Sequence, residues 1–159
     1  MEPIKAITLE KTYNAPLATL SQTWTDPETL KQWWGPDNVT IPECDVDLRV
    51  GGTFHIVMEA GEAMGLYKGT LWPMIATFTV VEPNAKLAYT AQAWTEGQKE
   101  ETTIDQTTEI TFSEENGGTK VIVKAAIYKT GPKAQMAVEG MQYGFTQQLE
   151  KLNTFLAKK

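Results

Sequence analysis

Few residues on this chain could carry covalent chemistry. Cys44 is the only cysteine and His55 the only histidine, so a disulfide within the chain and a Cys/His zinc site are excluded by count. A cysteine–histidine nucleophile pair stays open on paper, against the commoner role of a lone cysteine as a small buried apolar group. His55 alone would serve as a general base only if it faced a cavity. Arg49, the single arginine, is expected to bridge Asp47, Asp45 or Glu59 at the surface, where such pairs stabilise little. The sequence holds no paired carboxylates, no phosphate-cradling glycine loop and no Gly-x-Ser-x-Gly elbow. It therefore names no catalytic constellation.

Binding chemistry is better represented. Tryptophans stand at 24, 33, 34, 72 and 94, and methionines at 58, 64, 74, 136 and 141. An indole can stack on a flat ligand while its N–H stays wet, and a thioether side chain adapts to irregular apolar shapes. Trp24 and Trp33 fall on the apolar sides of short helical patterns and are expected in the core. Trp34, beside Gly35-Pro36, suits either core or rim, and Trp72 and Trp94 lie where strands end, as a pocket rim would require.

A long helix must position them. Ala134, Val138, Met141, Phe145, Leu149, Leu152 and Leu156 step by three or four residues, which predicts one apolar stripe on a helix over 133–158, about seven turns long. Gly131-Pro132 opens it, since proline loses nothing in a first turn. Gly140 and Gly144 share another face, each about 1 kcal/mol worse for helix than alanine, so close packing on a strand or contact with a ligand is expected there.

Before that helix the pattern is mainly of strands. Residues 4–13 alternate, and two short helices follow: one over 16–25, the next capped by Asp26 with Pro27 in its first turn. Alternation returns over 45–58, divided by Gly51-Gly52, which suggests a tight turn or a bulge. Residues 60–73 are expected to form a mobile loop or loose hairpin. Strands are predicted at 75–81 and 86–94, the latter with Leu87, Tyr89, Ala91 and Ala93 on one face, where small residues leave room. A polar turn over 96–102 leads to a hairpin of 103–113 with 119–128. Short turns between successive strands imply an antiparallel sheet.

The 159 residues carry a net charge of -6 and a pI near 4.8, which argues against nucleic acid as a partner. No stretch approaches the roughly 18 apolar residues of a membrane span, and the N-terminus lacks a signal-peptide pattern. A single α+β domain in the cytoplasm is the expectation.

The order strand, two short helices, antiparallel strands, long C-terminal helix resembles the helix-grip fold of the START-like (SRPBCC) superfamily. Asn14-Ala15-Pro16, Trp24-Thr25-Asp26-Pro27-Glu28, Leu30 and Trp33-Trp34-Gly35-Pro36 look like the opening signature of the activator of heat-shock-protein-90 ATPase homologue-1-like family. Asp47-Leu48-Arg49-Val50-Gly51-Gly52 is similar to that family's strand turn, and Glu109-Ile110-Thr111-Phe112, Gly117-Gly118-Thr119 and the glycine-led final helix complete the match. The 60–73 region departs from it.

The resemblance implies a curved antiparallel sheet wrapped around the terminal helix. With the Trp and Met content, it leads to one main expectation: a small hydrophobic, aromatic or lipid-like molecule held between that helix and the sheet, without catalysis or cofactor. Trp34, Phe54, Met58, Trp72, Tyr89, Trp94, Ile110, Met136, Met141 and Phe145 are the candidate ligand contacts. Two alternatives follow from the resemblance: a co-chaperone-like module of the stress response acting on a chaperone ATPase, and a cyclase- or hydrolase-like enzyme using His55, Tyr89 or Asp105 as acid or base. A monomer or a homodimer is equally compatible.

Overall fold

Period-two alternation resolves into seven strands in the computed structural model of the chain, which describes residues 2–158. The elements run β1 (Lys5–Tyr13), α1 (Leu17–Thr23), α2 (Pro27–Trp33), β2 (Val39–Val46), β3 (Thr53–Ala60), a 3-10 turn (Glu62–Tyr67), β4 (Leu71–Glu82), β5 (Lys86–Ala93), α3 (Lys99–Thr102), β6 (Ile104–Glu115), β7 (Gly118–Thr130) and α4 (Gln135–Ala157). The strands form one antiparallel sheet in the order β1-β7-β6-β5-β4-β3-β2. Register shifts at Thr40/Glu43, Phe78/Val80 and Asp105/Gln106 are bulges of the kind that bend a sheet. The resulting curved sheet and long C-terminal helix make the α+β helix-grip architecture.

Local chemistry accounts for the element ends. Asp26 caps α2, its carboxylate accepting from the Thr29 N–H at 3.0 Å, with Pro27 at the first helical position. Asn116 (φ 50°) and Gly117 (φ 84°) turn β6 into β7, which suits a two-residue turn of the I′ type.

Three stretches before the last helix differ from the sequence expectation, and α4 itself starts at Gln135, with Pro132 outside its first turn. Strand β2 begins at Val39, not at 45, and Leu48 and Val50 are exposed in the turn that follows. Pro42 disguised the strand; β2 is the edge of the sheet, where a residue without an N–H is tolerated. Residues 47–52 form a tight loop closed by Gly52 N–H to Arg49 O at 2.8 Å and anchored by Gly51 N–H to Phe78 O at 2.8 Å. Residues 61–70 connect β3 to β4 through the 3-10 turn, with Ala60 exchanging backbone hydrogen bonds with Thr70 and Gly69. Trp72 therefore belongs to a strand and not to a loop.

The apolar stripe of α4 lies on the inner face of the sheet. Its first half packs Ala134, Val138 and Met141 on Ile7, Ile104, Ala125 and Ile127; its second packs Leu149 and Leu152 with Tyr13, Val121 and Val123. The buried Tyr13 hydroxyl donates to Leu149 O at 2.9 Å. Gly140 and Gly144 break the expectation of close packing, because a Cβ at either would meet nothing within 4 Å among the described residues. Gly140→Ala and Gly144→Ala should each stabilise the fold by about 0.5–1 kcal/mol, read from urea denaturation. A destabilising outcome would mean that the helix needs glycine there for a reason other than space.

Burial raises the pKa of Cys44 to about 11 and moves the Tyr13 and Tyr89 phenols well above their usual value, with Glu150 adding to the effect at Tyr13. Each group is favoured in its neutral form by folding. Their contribution is complete below the unfolded-chain values of 9.0 for the thiol and 10.0 for the phenols, and is lost as pH climbs toward the folded values. Stability should thus begin to fall above about pH 9, and Cys44→Ala should flatten the first part of that decline in a denaturation series at rising pH.

Candidate functional site

Helix α1, helix α2 and the chain just beyond α2 cover part of the inner face with a file of rings. Trp24 and Trp33 meet edge to face at 4.7 Å, Trp34 lies 5.5 Å from Phe54, and Phe54 stacks on Phe78 at 6.0 Å and meets Tyr89 at 5.6 Å. The Trp33 indole N–H donates to Thr23 O at 3.1 Å. Three side chains of α4 then hold the loop after α2 by its backbone. Gln148 accepts from Gly35 N–H at 3.1 Å, Gln147 from Asp37 N–H at 3.0 Å, and the Lys151 ammonium donates to Trp34 O and Pro36 O. Burial lowers the Lys151 pKa, a shift partly offset by Asp37.

Between this ring file and α4 the inner face is floored by small residues. The register aligns Phe54, Ala76, Ala91, Gln106 and Ile127 in one row across β3 to β7. Ile56, Met74, Ala93 and Ile104 form the row on one side, and Phe78, Tyr89, Thr108 and Ala125 the row on the other. Met58, Ala93, Gln106 and, on α4, Phe145 are only half-buried, which marks where cover by the helix runs out.

Two polar groups stand in this apolar floor. Thr108, 2% exposed, has an Oγ1 with no well-formed hydrogen bond among the described residues, although it lies against the Tyr89 phenol. The Gln106 amide makes a long, weak contact with the Met74 sulfur at 4.0 Å. Alternation with Ile104, Ile110 and Phe112 puts Thr108 on the apolar face of the hairpin from the sequence alone, whereas Gln106, a residue type that reads as solvent-facing, is placed inside by its pairing with Ala91.

Of the expected ligand contacts, the structure brings Trp34, Phe54, Tyr89 and Ile110 into one buried cluster, with Met58 and Phe145 packed at its edge. Met141 is buried in the adjoining cluster. Trp72 pairs with Met58 in the ladder, on the same inner face. Two residues lie elsewhere. Met136 is 77% exposed on the outward side of α4, one position out of phase with the stripe. Trp94 follows the outward parity of Thr90 and Gln92, and Lys99 sits 4.3 Å over its ring.

The acid–base candidates do not converge. His55 projects from the outer face, 4.0 Å from Asp45, whereas Cys44 pairs with Ile56 and is buried on the inner face; a nucleophile pair between them is ruled out. Asp105 is also on the outer face, accepting from Gln92 at 2.9 Å, while Tyr89 is inside and held neutral by burial. Arg49 bridges Asp47 at 2.9 Å in the exposed turn, as its surroundings suggested.

The sequence profile of the activator of Hsp90 ATPase homolog 1-like proteins matches residues 14–157. The chain belongs to that family. The same fold recurs among solved structures, all below 25% identity in those that follow, so they speak to fold alone. A protein from Nitrosomonas europaea is 24% identical, with TM-score 0.75 over 96% of this chain and 94% of its own. The AHSA1 protein from Silicibacter pomeroyi is 22% identical, with TM-score 0.73 over 96% and 98%. A protein from Arthrobacter aurescens is 19% identical, with TM-score 0.76 over 97% and 87%. Among proteins with curated descriptions no match is found. No helix among the described residues is long and apolar enough to cross a membrane.

Proposed function

We propose that this chain binds a small, flat, mostly apolar molecule carrying one polar group, between α4 and the alanine floor of the sheet, without chemistry. The observation that carries this reading is Thr108. A buried hydroxyl without a well-formed hydrogen bond is unfavourable by about 1–3 kcal/mol, and here its cross-strand partner is Tyr89, with the half-buried Gln106 and its own partner Ala91 in the next row. A ligand hydroxyl or carbonyl would satisfy it while its ring rests on the alanines, bordered by Phe54, Phe78 and Tyr89. Membership of a fold superfamily that often holds hydrophobic ligands supports the same reading.

Native mass spectrometry of protein purified without denaturation should show a retained small molecule or saturable uptake of apolar aromatic probes. Thr108→Val preserves shape and removes the hydroxyl. It should weaken probe binding about fivefold to tenfold with stability unchanged or raised; equal binding by the variant would dissociate Thr108 from the site.

The family description favours a second reading, in which the domain docks on a chaperone ATPase. ATPase rates of a purified chaperone with and without this protein decide it, and an unchanged rate removes it.

A further inference from the structure

The opposite face of the sheet carries a hollow of about 440 Å³, within the roughly 300–1,000 Å³ typical of small-molecule sites. Its floor is set by register. Thr77, Thr90 and Thr107 are direct cross-strand neighbours on β4, β5 and β6, and Ile75, Gln92 and Asp105 form the adjacent row. One wall is Trp94 with Lys99; Tyr128 contributes from β7, where the ladder shifts register.

That wall is tied down. Trp94 N–H donates to Pro73 O at 3.2 Å, Glu96 N–H to Leu71 O at 2.9 Å, and Thr95 N–H to the Thr102 hydroxyl at 2.8 Å. The indole is thus presented by a segment fixed to β4 before any ligand arrives, which lowers the entropic penalty of binding.

We propose that this hollow binds a neutral saccharide ring. The C–H face of a pyranose packs on an indole, here on the Trp94 face that Lys99, 4.3 Å over the other side of the ring, leaves free, and its hydroxyls need closely spaced donors and acceptors. The threonine row supplies hydroxyls that do both. Gln92 donates to Asp105 at 2.9 Å, which orients the carboxylate and leaves the Gln92 carbonyl to accept. An apolar ligand is disfavoured, because it would strip water from these hydroxyls and from Asp105 without replacing their hydrogen bonds. Lys99 and Asp105 are the charged residues of the lining and are opposite in sign, so an ion gains little, and the overall charge of -6 repels polyanions. Ala91 and Gln106, whose side chains belong to the inner rows, also border this hollow, but its side-chain floor is the outward-facing threonine row, so the proposal stands whether or not the inner face is occupied.

Titration of the ¹⁵N-labelled full chain with methyl β-glucoside, methyl β-galactoside, methyl α-mannoside and N-acetylglucosamine tests this. At least one should give saturable shifts at the Trp94 indole N–H and the Gln92 amide, with a Kd on the order of 1 mM. Trp94→Ala should weaken binding at least about tenfold, and Thr90→Val, which keeps the β-branched shape, about threefold to tenfold. Should Trp94→Ala misfold, Thr90→Val read on a native-like spectrum decides alone. No saturable shift up to about 100 mM of any of the four sugars, shifts confined to inner-face residues, or binding unaltered in Thr90→Val would each overturn the proposal.

Discussion

Trp33→Ala is expected to lower the unfolding free energy by about 3–5 kcal/mol. The side chain is fully buried, meets Trp24 at 4.7 Å and Trp34 at 5.8 Å, and its indole N–H satisfies Thr23 O. Truncation would leave a hole bounded by two other indoles that are themselves pinned. Trp34 is held because Lys151 grips its carbonyl; Trp24 is wedged against Phe112 at 6.4 Å. Little collapse into the void is available, which places the loss at the upper part of the range for large-to-small changes. Urea denaturation followed by circular dichroism reads it directly, and a thermal melt should show a Tm drop on the order of 10 °C. A loss below about 1 kcal/mol would mean that the ring file is not what attaches α1 and α2 to the sheet.

Gly52→Ala should destabilise by about 2–3 kcal/mol, roughly 1 kcal/mol more than the same change at its neighbour. A Cβ at Gly52 would stand 2.0 Å from Asp47 O and 3.0 Å from Arg49 O, both backbone atoms that cannot swing aside. Gly51 has nothing within 4 Å but a φ of +84°, so alanine there meets only the left-handed penalty of about 1–2 kcal/mol. The turn 47–52 must open to admit a methyl group at Gly52, which pulls on the Gly51 N–H to Phe78 O bond that fastens it to β4. Denaturation midpoints of the two single variants, measured together, separate steric exclusion from backbone conformation. Equal losses would show that φ alone governs the pair.

Helix α4 and the β6–β7 hairpin were legible in the sequence because each obeys one period over many residues, and the paired glycines announced a turn. The error at 45–50 came from the same rule. Val46, Leu48 and Val50 alternate as a strand would, yet Leu48 and Val50 sit in the exposed turn, because the tight loop around Gly52 outweighed local alternation. Strand β2 was hidden by Pro42, which is harmless only because β2 is an edge, a fact of topology that no local window contains.

The candidate site was half legible for a related reason. Aromatic residues such as Phe54 and Tyr89 declare burial by type and Thr108 by its alternation with Ile104, Ile110 and Phe112, but Gln106 does so only through its cross-strand partner Ala91. Met136 and Trp94 have side chains of the kind that suits a pocket, but their positions face away from it. Met136 falls one step off the α4 stripe, and Trp94 follows outward parity. Residue type pointed to the kind of chemistry, and register decided which face received it.

The most direct test is a titration of the ¹⁵N- and ¹³C-methyl-labelled chain with 2-naphthol, a flat apolar ring system bearing one hydroxyl. The proposed function requires saturable binding with a Kd of roughly 1–100 μM, with the largest shifts at the Ala91 methyl, Thr108 and Phe145. Absence of saturable binding, or shifts gathered around Trp94 on the other face, would contradict it.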